Sequence, residues 1–490
     1  MMDKTFLTIS SFLSGLRCPK RLYFDVHHPE LKYSNRAPEG HLWSNSDLAL
    51  RLAAHLFPQG LWAGYDPKQT AQGLMSEKAQ PIFEAAFQGG SLSVRVEVIV
   101  PNLYGSWDLF LVRTGYRINS FYLWSLALAQ HVLAEAGVDI RRAGLIHPDP
   151  EGCWPSEHQV SPPAELFLKQ EDLRDLTVDM IPRLPGLIAE MTKVLFRSQP
   201  PRTTAGPQCQ GSLPCSYLDI CQPPRSKHWV GGFYRMSAER KKNLLAKGLE
   251  HIGDIPADEP LTPMQQRIRQ AVISGRPYMD QTLARKLMAL PKPIYYLDFE
   301  TTAWQLPFFP GARSGAMVPY QWSLHVEDDR GLRPKSFLAS GREDPRPELV
   351  RALLAAIGPI GPILTYTHYE RQVLRNLKSC VPEFGDELEK LAGRCVDLCA
   401  MVRQYLYHPD FGQSFSLKAV LAALAPELSY RFLEVRDGLE AGRVFLNMVF
   451  EPDLERRNRL RQALLDYCGR DTLALVVIKR YALGDNLPGG

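Results

Sequence analysis

The chain has 490 residues, 45% of them hydrophobic, and 57 Lys and Arg stand against 53 Asp and Glu for a net charge of +4. That length allows two or three separate cores. The near-even charge does not by itself mark a nucleic-acid binder, and no apolar run reaches the roughly 18 residues of a membrane span. Phe6 to Leu16 is modestly apolar, but it lacks a small-residue cleavage site and runs into Arg17-Cys-Pro-Lys-Arg21. A soluble, cytoplasmic chain is therefore expected. Tandem repeats, low-complexity tracts, a P-loop and a dinucleotide fingerprint are all missing from the sequence.

Ser10 to Phe24 reads as an opening helix that carries Cys18, and Asp47 lies on a helix leading to His55-Leu-Phe57. Ser93 to Val100 alternates as a strand with Glu97 near its end. After a turn at Pro101 to Gly105, a second strand runs from Trp107 to Thr114 through Leu111, Val112 and Arg113. A helix follows from Tyr122 to Ala136, bearing Ala129 and Gln130.

Of nine cysteines, Cys209, Cys215 and Cys221 form a cluster in a Pro/Gly-rich stretch, and Cys18 stands far upstream. Cys153, Cys380, Cys395, Cys399 and Cys468 lie in or beside apparent helices and read as small core residues. In a reducing compartment, clustered thiols favour metal or cluster binding over disulfides. The spacing is wider than that of common zinc sites, and four thiolates with one contributed from upstream suit an iron–sulfur cluster. Zn²⁺ is the alternative, since thiolates suit both.

From Arg225 to Lys247 seven basic residues face one acid, Glu239, with Trp229, Phe233 and Tyr234 interleaved. Arg235, Lys241 and Lys242 in this run are candidates for a surface that binds a nucleic-acid strand; a solvated helix face is the plainer reading. Leu244 to Pro256 reads as helix, glycine turn and short helix. Two further helices, Thr262 to Ile273 and Asp280 to Leu290, precede Pro291-Lys-Pro293.

Ile294-Tyr-Tyr-Leu297 then leads into Asp298 and Glu300, two apart and so on one face of a strand. Two carboxylates held together repel unless a cation sits between them, and shared divalent cations are the two-metal route to phosphodiester cleavage. The loop Ala303 to Ala316 is aromatic; Trp304, Phe308 and Phe309 could stack bases or cap the core. Val318 to Val326 and Pro334 to Ala339 read as a hairpin joined at Glu327-Asp-Asp-Arg-Gly331. A helix from Arg346 to Ile357, a strand from Pro362 to Thr367 and a helix opening at His368-Tyr-Glu370 follow. Lys418 could contact phosphate or stand as a solvated helix lysine. Arg457 and Arg461 belong to a second basic run, on the helix leading to Tyr467 and Asp471, which are four apart and share a helical face.

The ordered set Asp298-x-Glu300, Glu370 and Tyr467-x-x-x-Asp471 resembles the tyrosine-bearing branch of the DEDD 3′–5′ exonucleases, which have an RNase H-like fold. Asp298 and Glu300 match the first motif and Tyr467 with Asp471 the third; the second, normally an Asp, falls on Glu370. Val396-Asp397-Leu matches the family's short Asp-bearing element. Residues 5 to 222 resemble the iron–sulfur branch of RecB-like, PD-(D/E)XK nucleases. There one N-terminal and three C-terminal cysteines hold a 4Fe–4S cluster, matched by Cys18, Cys209, Cys215 and Cys221. The catalytic part of that likeness fails. Glu97 takes the Asp position, Leu111-Val-Arg113 replaces Glu-x-Lys, and Ala129 stands where Gln is expected. A leucine holds no metal, and Arg113 cannot assist water activation by losing a proton. Together with Phe83 to Phe87, Tyr296 to Thr301 and Ser416-Leu-Lys418, the chain resembles a bacterial family that joins these two halves.

An α/β chain in three parts is expected. These are a RecB-like, restriction-endonuclease-like iron–sulfur domain over 1–224, a helical basic connector over 225–292, and an RNase H-like domain with a mixed sheet over 293–490. The expected activity is 3′–5′ exonucleolysis of DNA or RNA in the last part, using two Mg²⁺ or Mn²⁺ ions held by Asp298, Glu300, Glu370 and Asp471. The first part would bind or guide nucleic acid without chemistry. A non-catalytic scaffold or sensor, and a nuclease active only with a partner protein, are the alternatives.

Overall fold

Two stretches of alternating apolar and polar residues build two sheets. The computed structural model describes residues 6–32, 45–155, 164–209, 215–222, 225–307, 309–341 and 343–486. It is an α/β protein that divides into two units, one of Met1–Pro224 with Ala303–Ala316, the other of Arg225–Thr302 with Met317–Gly490. No helix among the described residues is long and apolar enough to cross a membrane.

The first unit holds a six-stranded sheet whose strands lie side by side in chain order. They are β1 (Leu61–Trp62), β2 (Ile82–Gly89), β3 (Leu92–Pro101), β4 (Trp107–Val112), β5 (Ile140–Pro148) and β6 (Leu168–Asp172). Neighbours are antiparallel except β1 with β2 and β4 with β5. A parallel pair needs a crossover, and the helix Ser120–Glu135 supplies it between β4 and β5. That helix has buried residues at nearly every position from Ser125 to Leu133, as expected of a segment apolar all round. The strand expected to reach Thr114 ends at Val112.

The loop 303–316 belongs to this unit. Gly311 N–H donates to the Trp154 carbonyl (2.8 Å), Trp154 N–H to Ala312 (2.9 Å) and Ser314 N–H to Gly152 (2.9 Å). Leu306 is buried in the same apolar cluster as Phe83, Phe110 and Phe167. Phe309 is buried too, so this loop caps a core, although not that of the strand it follows. Phe308 lies outside the described residues.

The second unit is built on β8 (Ile294–Thr302), β9 (Val318–Asp328), β10 (Gly331–Leu338), β11 (Ile363–Thr365) and β12 (Cys395–Asp397), in the spatial order β10-β9-β8-β11-β12. β8 pairs antiparallel with β9 and parallel with β11. One face of the sheet is apolar. Tyr295, Leu297 and Phe299 of β8 and Trp322, Leu324 and Val326 of β9 pack there on helices Arg346–Ala356 and Tyr369–Cys380. The other face is polar yet buried beneath a 30-residue helix, Leu454–Leu483.

Residues 225–292, expected as a separate connector, belong to this unit. β7 (Tyr278–Met279) pairs with β13 (Leu406–Tyr407), Lys227 Nζ meets Asp410 at 2.5 Å, and the Tyr234 ring packs on Phe415. These contacts join the segment's helices to the sheet domain rather than leaving them as a spacer.

The start of β8 is set by a tight turn. Gly361 has φ of +95°, and a Cβ there would lie 2.0 Å from the Pro293 carbonyl oxygen. The Arg394 guanidinium closes the same turn by donating to the carbonyls of Gly358, Ile360 and Gly361. We predict that Gly361→Ala destabilises the second unit by roughly 2–4 kcal/mol through backbone strain and steric clash, read as a lower urea midpoint.

Candidate functional site

The polar face gathers side chains distant in sequence. Period two puts Tyr296, Asp298 and Glu300 on one side of β8, and Gln321, Ser323, His325 and Glu327 beside them on β9. The long helix is fastened across this row by hydrogen bonds. Gln321 Nε2 donates to the Leu464 carbonyl (2.9 Å), and Ser323 Oγ and His325 Nδ1 each lie 2.8 Å from Thr472 Oγ1. Lys479 Nζ reaches Glu327 at 2.9 and 3.0 Å, and Glu327 also takes the Tyr296 hydroxyl. These rungs fix the helix in rotation and register, so Tyr467, Cys468 and Asp471 turn toward the acids of β8.

Four carboxylates converge. Glu300, Glu370 and Asp471 are 8%, 4% and 7% exposed, and Asp298 keeps a larger part of its surface open. The pairing register of β8 shifts between Glu300 and Thr301, a local break of the kind that re-aims side chains beside sites. Glu370 sits in the first turn of Tyr369–Cys380, and its Oε2 has no hydrogen-bond partner. Asp397 caps the helix Leu398–Tyr405 by accepting from Ala400 N–H (2.8 Å), and its charge bears on Glu370.

Burial, and then repulsion from Asp471, Glu370 and Glu300, holds the Asp298 carboxyl well above the usual range. Glu300 is raised for the same reasons, burial first and Asp471 second, with Lys418 pulling it back. Burial pushes Glu370 up to about 7, and Asp471 likewise to about 7 despite opposing contributions from Tyr430 and Lys418. Tyr467 is buried, and its phenol is driven upward by burial and by the Asp471 and Glu300 charges, so it stays protonated.

Three contributors were not singled out as site residues in the sequence. Tyr430 donates its hydroxyl to Asp471 Oδ1 at 2.5 Å. Cys468, expected to be a core filler, has its Sγ 3.7 Å from Asp298 Oδ2. The ligand atoms of Asp298, Glu300 and Cys468 all lie within 4.8 Å of one another. Lys418, left between phosphate contact and a solvated lysine, turns inward. Its Nζ donates to the Arg436 carbonyl and stands 5.2 Å from the Tyr467 ring centre and 5.4 Å from that of Tyr430.

Arg457 donates to the Glu451 carbonyl and Arg461 to that of Leu338, so both serve the packing of their own helix. Arg235 and Lys242 are exposed and Lys241 is half-buried, on or beside the helix Ala238–Ala246. Of the interleaved aromatics, Phe233 is fully buried and the half-buried Tyr234 packs on Phe415.

In the first unit Cys18, Cys209, Cys215 and Cys221 are free thiols lining one hollow together with Lys20 and Arg21. Cys18 sits at the junction of helices Ile9–Arg17 and Pro19–His27. Arg17 Nε donates to the Gln208 carbonyl (2.8 Å), and Asp25 accepts from Ser14 (2.6 Å) and Tyr217 (2.8 Å), tying the opening helices to the closing segment. Glu97 and Arg113 form an ion pair at 3.2 Å, with Glu97 also accepting from Val112 N–H. They line a cavity of about 1150 Å³ with Asp47, Tyr65 and Tyr122. Ala129 is fully buried, and Gln130 donates to Thr177 (2.7 Å) within the core.

Residues 295–416 match a domain of unknown function, DUF2779. The match begins within β8, takes in Asp298, Glu300 and Glu370, and stops before Tyr467 and Asp471. No curated protein and no solved structure matches the chain.

Carboxyls raised in the folded state favour folding while they are protonated. Their contribution is fully present below the unfolded value near 4 and is lost as pH rises through about 7. In metal-stripped buffer we predict that stability falls between pH 5 and pH 8. Glu370→Gln should flatten that slope by on the order of 2 kcal/mol, measured by denaturant unfolding at each pH.

Proposed function

We propose that the second unit is a divalent-metal-dependent nuclease that removes nucleotides from the 3′ end of DNA or RNA. The observation that carries this reading is the convergence of Asp298, Glu300, Glu370 and Asp471 into one buried cluster with an unpartnered Glu370 oxygen. Buried like charges on this scale are stabilised when cations bind among them. The sheet order, with three antiparallel strands followed by two parallel ones and acids on the central strand, supports an RNase H-like fold.

Asp298, Glu300 and Asp471 would hold an inner ion and Glu370 an outer one. Bound there, such ions lower the pKa of water and stabilise charge on the phosphate. The chain's own groups do the rest. The neutral Tyr467 phenol orients the attacking water, and the Lys418 ammonium offers a donor to a non-bridging phosphate oxygen. Asp298 is the most open of the four acids. Water oxygen bonds to phosphorus and its proton leaves to solvent, while the bond to the 3′ oxygen of the preceding nucleotide breaks and that oxygen takes a proton from solvent to become a hydroxyl.

With Mg²⁺ or Mn²⁺, the protein should shorten a 5′-labelled single strand from its 3′ end, and Asp298→Ala should abolish this. Asp471→Asn should nearly silence turnover, whereas Tyr467→Phe should leave a measurable rate, because the metal ligands remain. Intact substrate with both ions would instead favour a binding scaffold.

The first unit in this reading is a RecB-like fold without nuclease chemistry, since the Arg113 guanidinium occupies the Glu97 carboxylate. Its four thiols suit a 4Fe–4S cluster. The donor set is all sulfur, and Lys20 and Arg21 beside it offset part of the negative charge of four thiolates. Anaerobically prepared protein should carry iron and visible absorbance. Cys18→Ser should lose both and become protease-sensitive before residue 225. Zinc without iron would keep the four ligands but replace the cluster.

A further inference from the structure

We propose that Cys468 is a metal ligand, so that the acid cluster selects a first-row transition ion over Mg²⁺. The proposal deepens the metal-dependent reading above and rests on it. The Sγ of Cys468 and carboxylate oxygens of Asp298 and Glu300 lie within 4.8 Å of one another. Donors bound to one ion at 2.0–2.3 Å stand roughly 3–4 Å apart, so small side-chain rotations close this set. A cysteine serving only as an apolar filler has apolar neighbours on all sides. This sulfur instead stands 3.7 Å from the Asp298 carboxylate and 3.9 Å from the Asp298 carbonyl oxygen.

A second observation points to a cation at the same place. Glu370 is 4% exposed, its Oε2 has no hydrogen-bond partner, and its charge acts on both Asp298 and Glu300. Tyr430 and Lys418 face the cluster from neighbouring elements, and neither donates a hydrogen bond to that oxygen. On binding, the S–H bond of Cys468 breaks, its proton passes to water, and a sulfur–metal bond forms with no change of oxidation state. Mg²⁺ demands hard oxygen donors in octahedral geometry and gains little from sulfur. Mn²⁺, Fe²⁺, Co²⁺ and Zn²⁺ accept a mixed sulfur and oxygen set.

The test uses the full-length protein, Cys468→Ser and Cys468→Ala, with circular dichroism confirming that each is folded. Each is titrated with Co²⁺, and the variant spectrum is subtracted from that of wild type. The four N-terminal thiols are common to all and cancel. The expected result is an ultraviolet sulfur-to-cobalt charge-transfer band present only in wild type. Calorimetry should show the Mn²⁺ dissociation constant rising on the order of tenfold in both variants, with that of Mg²⁺ little changed. A flat difference spectrum with Mn²⁺ affinity unchanged overturns the proposal, leaving Cys468 as a thiol donor to Asp298. If Asp298→Asn also leaves Co²⁺ and Mn²⁺ binding unchanged, the metal site itself fails, which is a separate result.

Discussion

Most folded sheets of this size bury apolar side chains on both faces or leave one face to water. The second unit does neither. Its central strands turn Asp298, Glu300, Gln321, Ser323 and His325 inward against the helix Leu454–Leu483, which contributes Tyr467, Cys468, Asp471, Thr472 and Lys479. A buried polar face is tolerable only where each group finds a partner. Along most of it they do, through Thr472, the Leu464 carbonyl and the pair of Lys479 with Glu327. The exception is the end that carries the four carboxylates, where charges of one sign meet and side-chain oxygens of Glu370 and Gln321 are left without a donor. The satisfied part of the face holds the unsatisfied part in place. That is how a site can keep groups together that would separate if free.

The same chemistry is resolved differently in the first unit. Glu97 projects from β3 much as Asp298 does from β8, but its carboxylate meets Arg113 and the Val112 amide. The Arg113 guanidinium thus offsets the Glu97 charge within the unit itself. Leu111 is fully buried. The difference between the two units lies in whether the fold supplies its own counter-charge.

Some of this was legible in the residue pattern. Spacing of two on a strand and of four on a helix are local facts, so Asp298 with Glu300 and Tyr467 with Asp471 could be paired on their own elements without knowing the fold. Whether the two pairs meet depends on the register of a helix some 170 residues downstream, set by Thr472 and Gln321, which no periodicity reports. Cys468 was read as filler because small apolar residues on a buried helix usually are; only its neighbour across the interface distinguishes it. The 303–316 loop was open to either role because an aromatic segment satisfies any apolar surface it reaches. The segment 225–292 looked like a spacer because its helices are short and polar. Its attachment runs through single contacts, such as Asp280 N–H to the Tyr405 carbonyl at 2.9 Å, that leave no pattern.

Lys418 shows how finely the charge of such a site can be set. Its ammonium lowers both Glu300 and Asp471, yet it also donates to the Arg436 carbonyl and stands over the Tyr430 and Tyr467 rings. A single cation so shared cannot neutralise four acids, and Asp471 remains raised in spite of it. Were the ammonium to pair fully with one carboxylate, as Lys479 does with Glu327, that carboxylate would be lost to a further cation. Held by a backbone carbonyl and two ring faces instead, it tempers the repulsion among the acids without cancelling it.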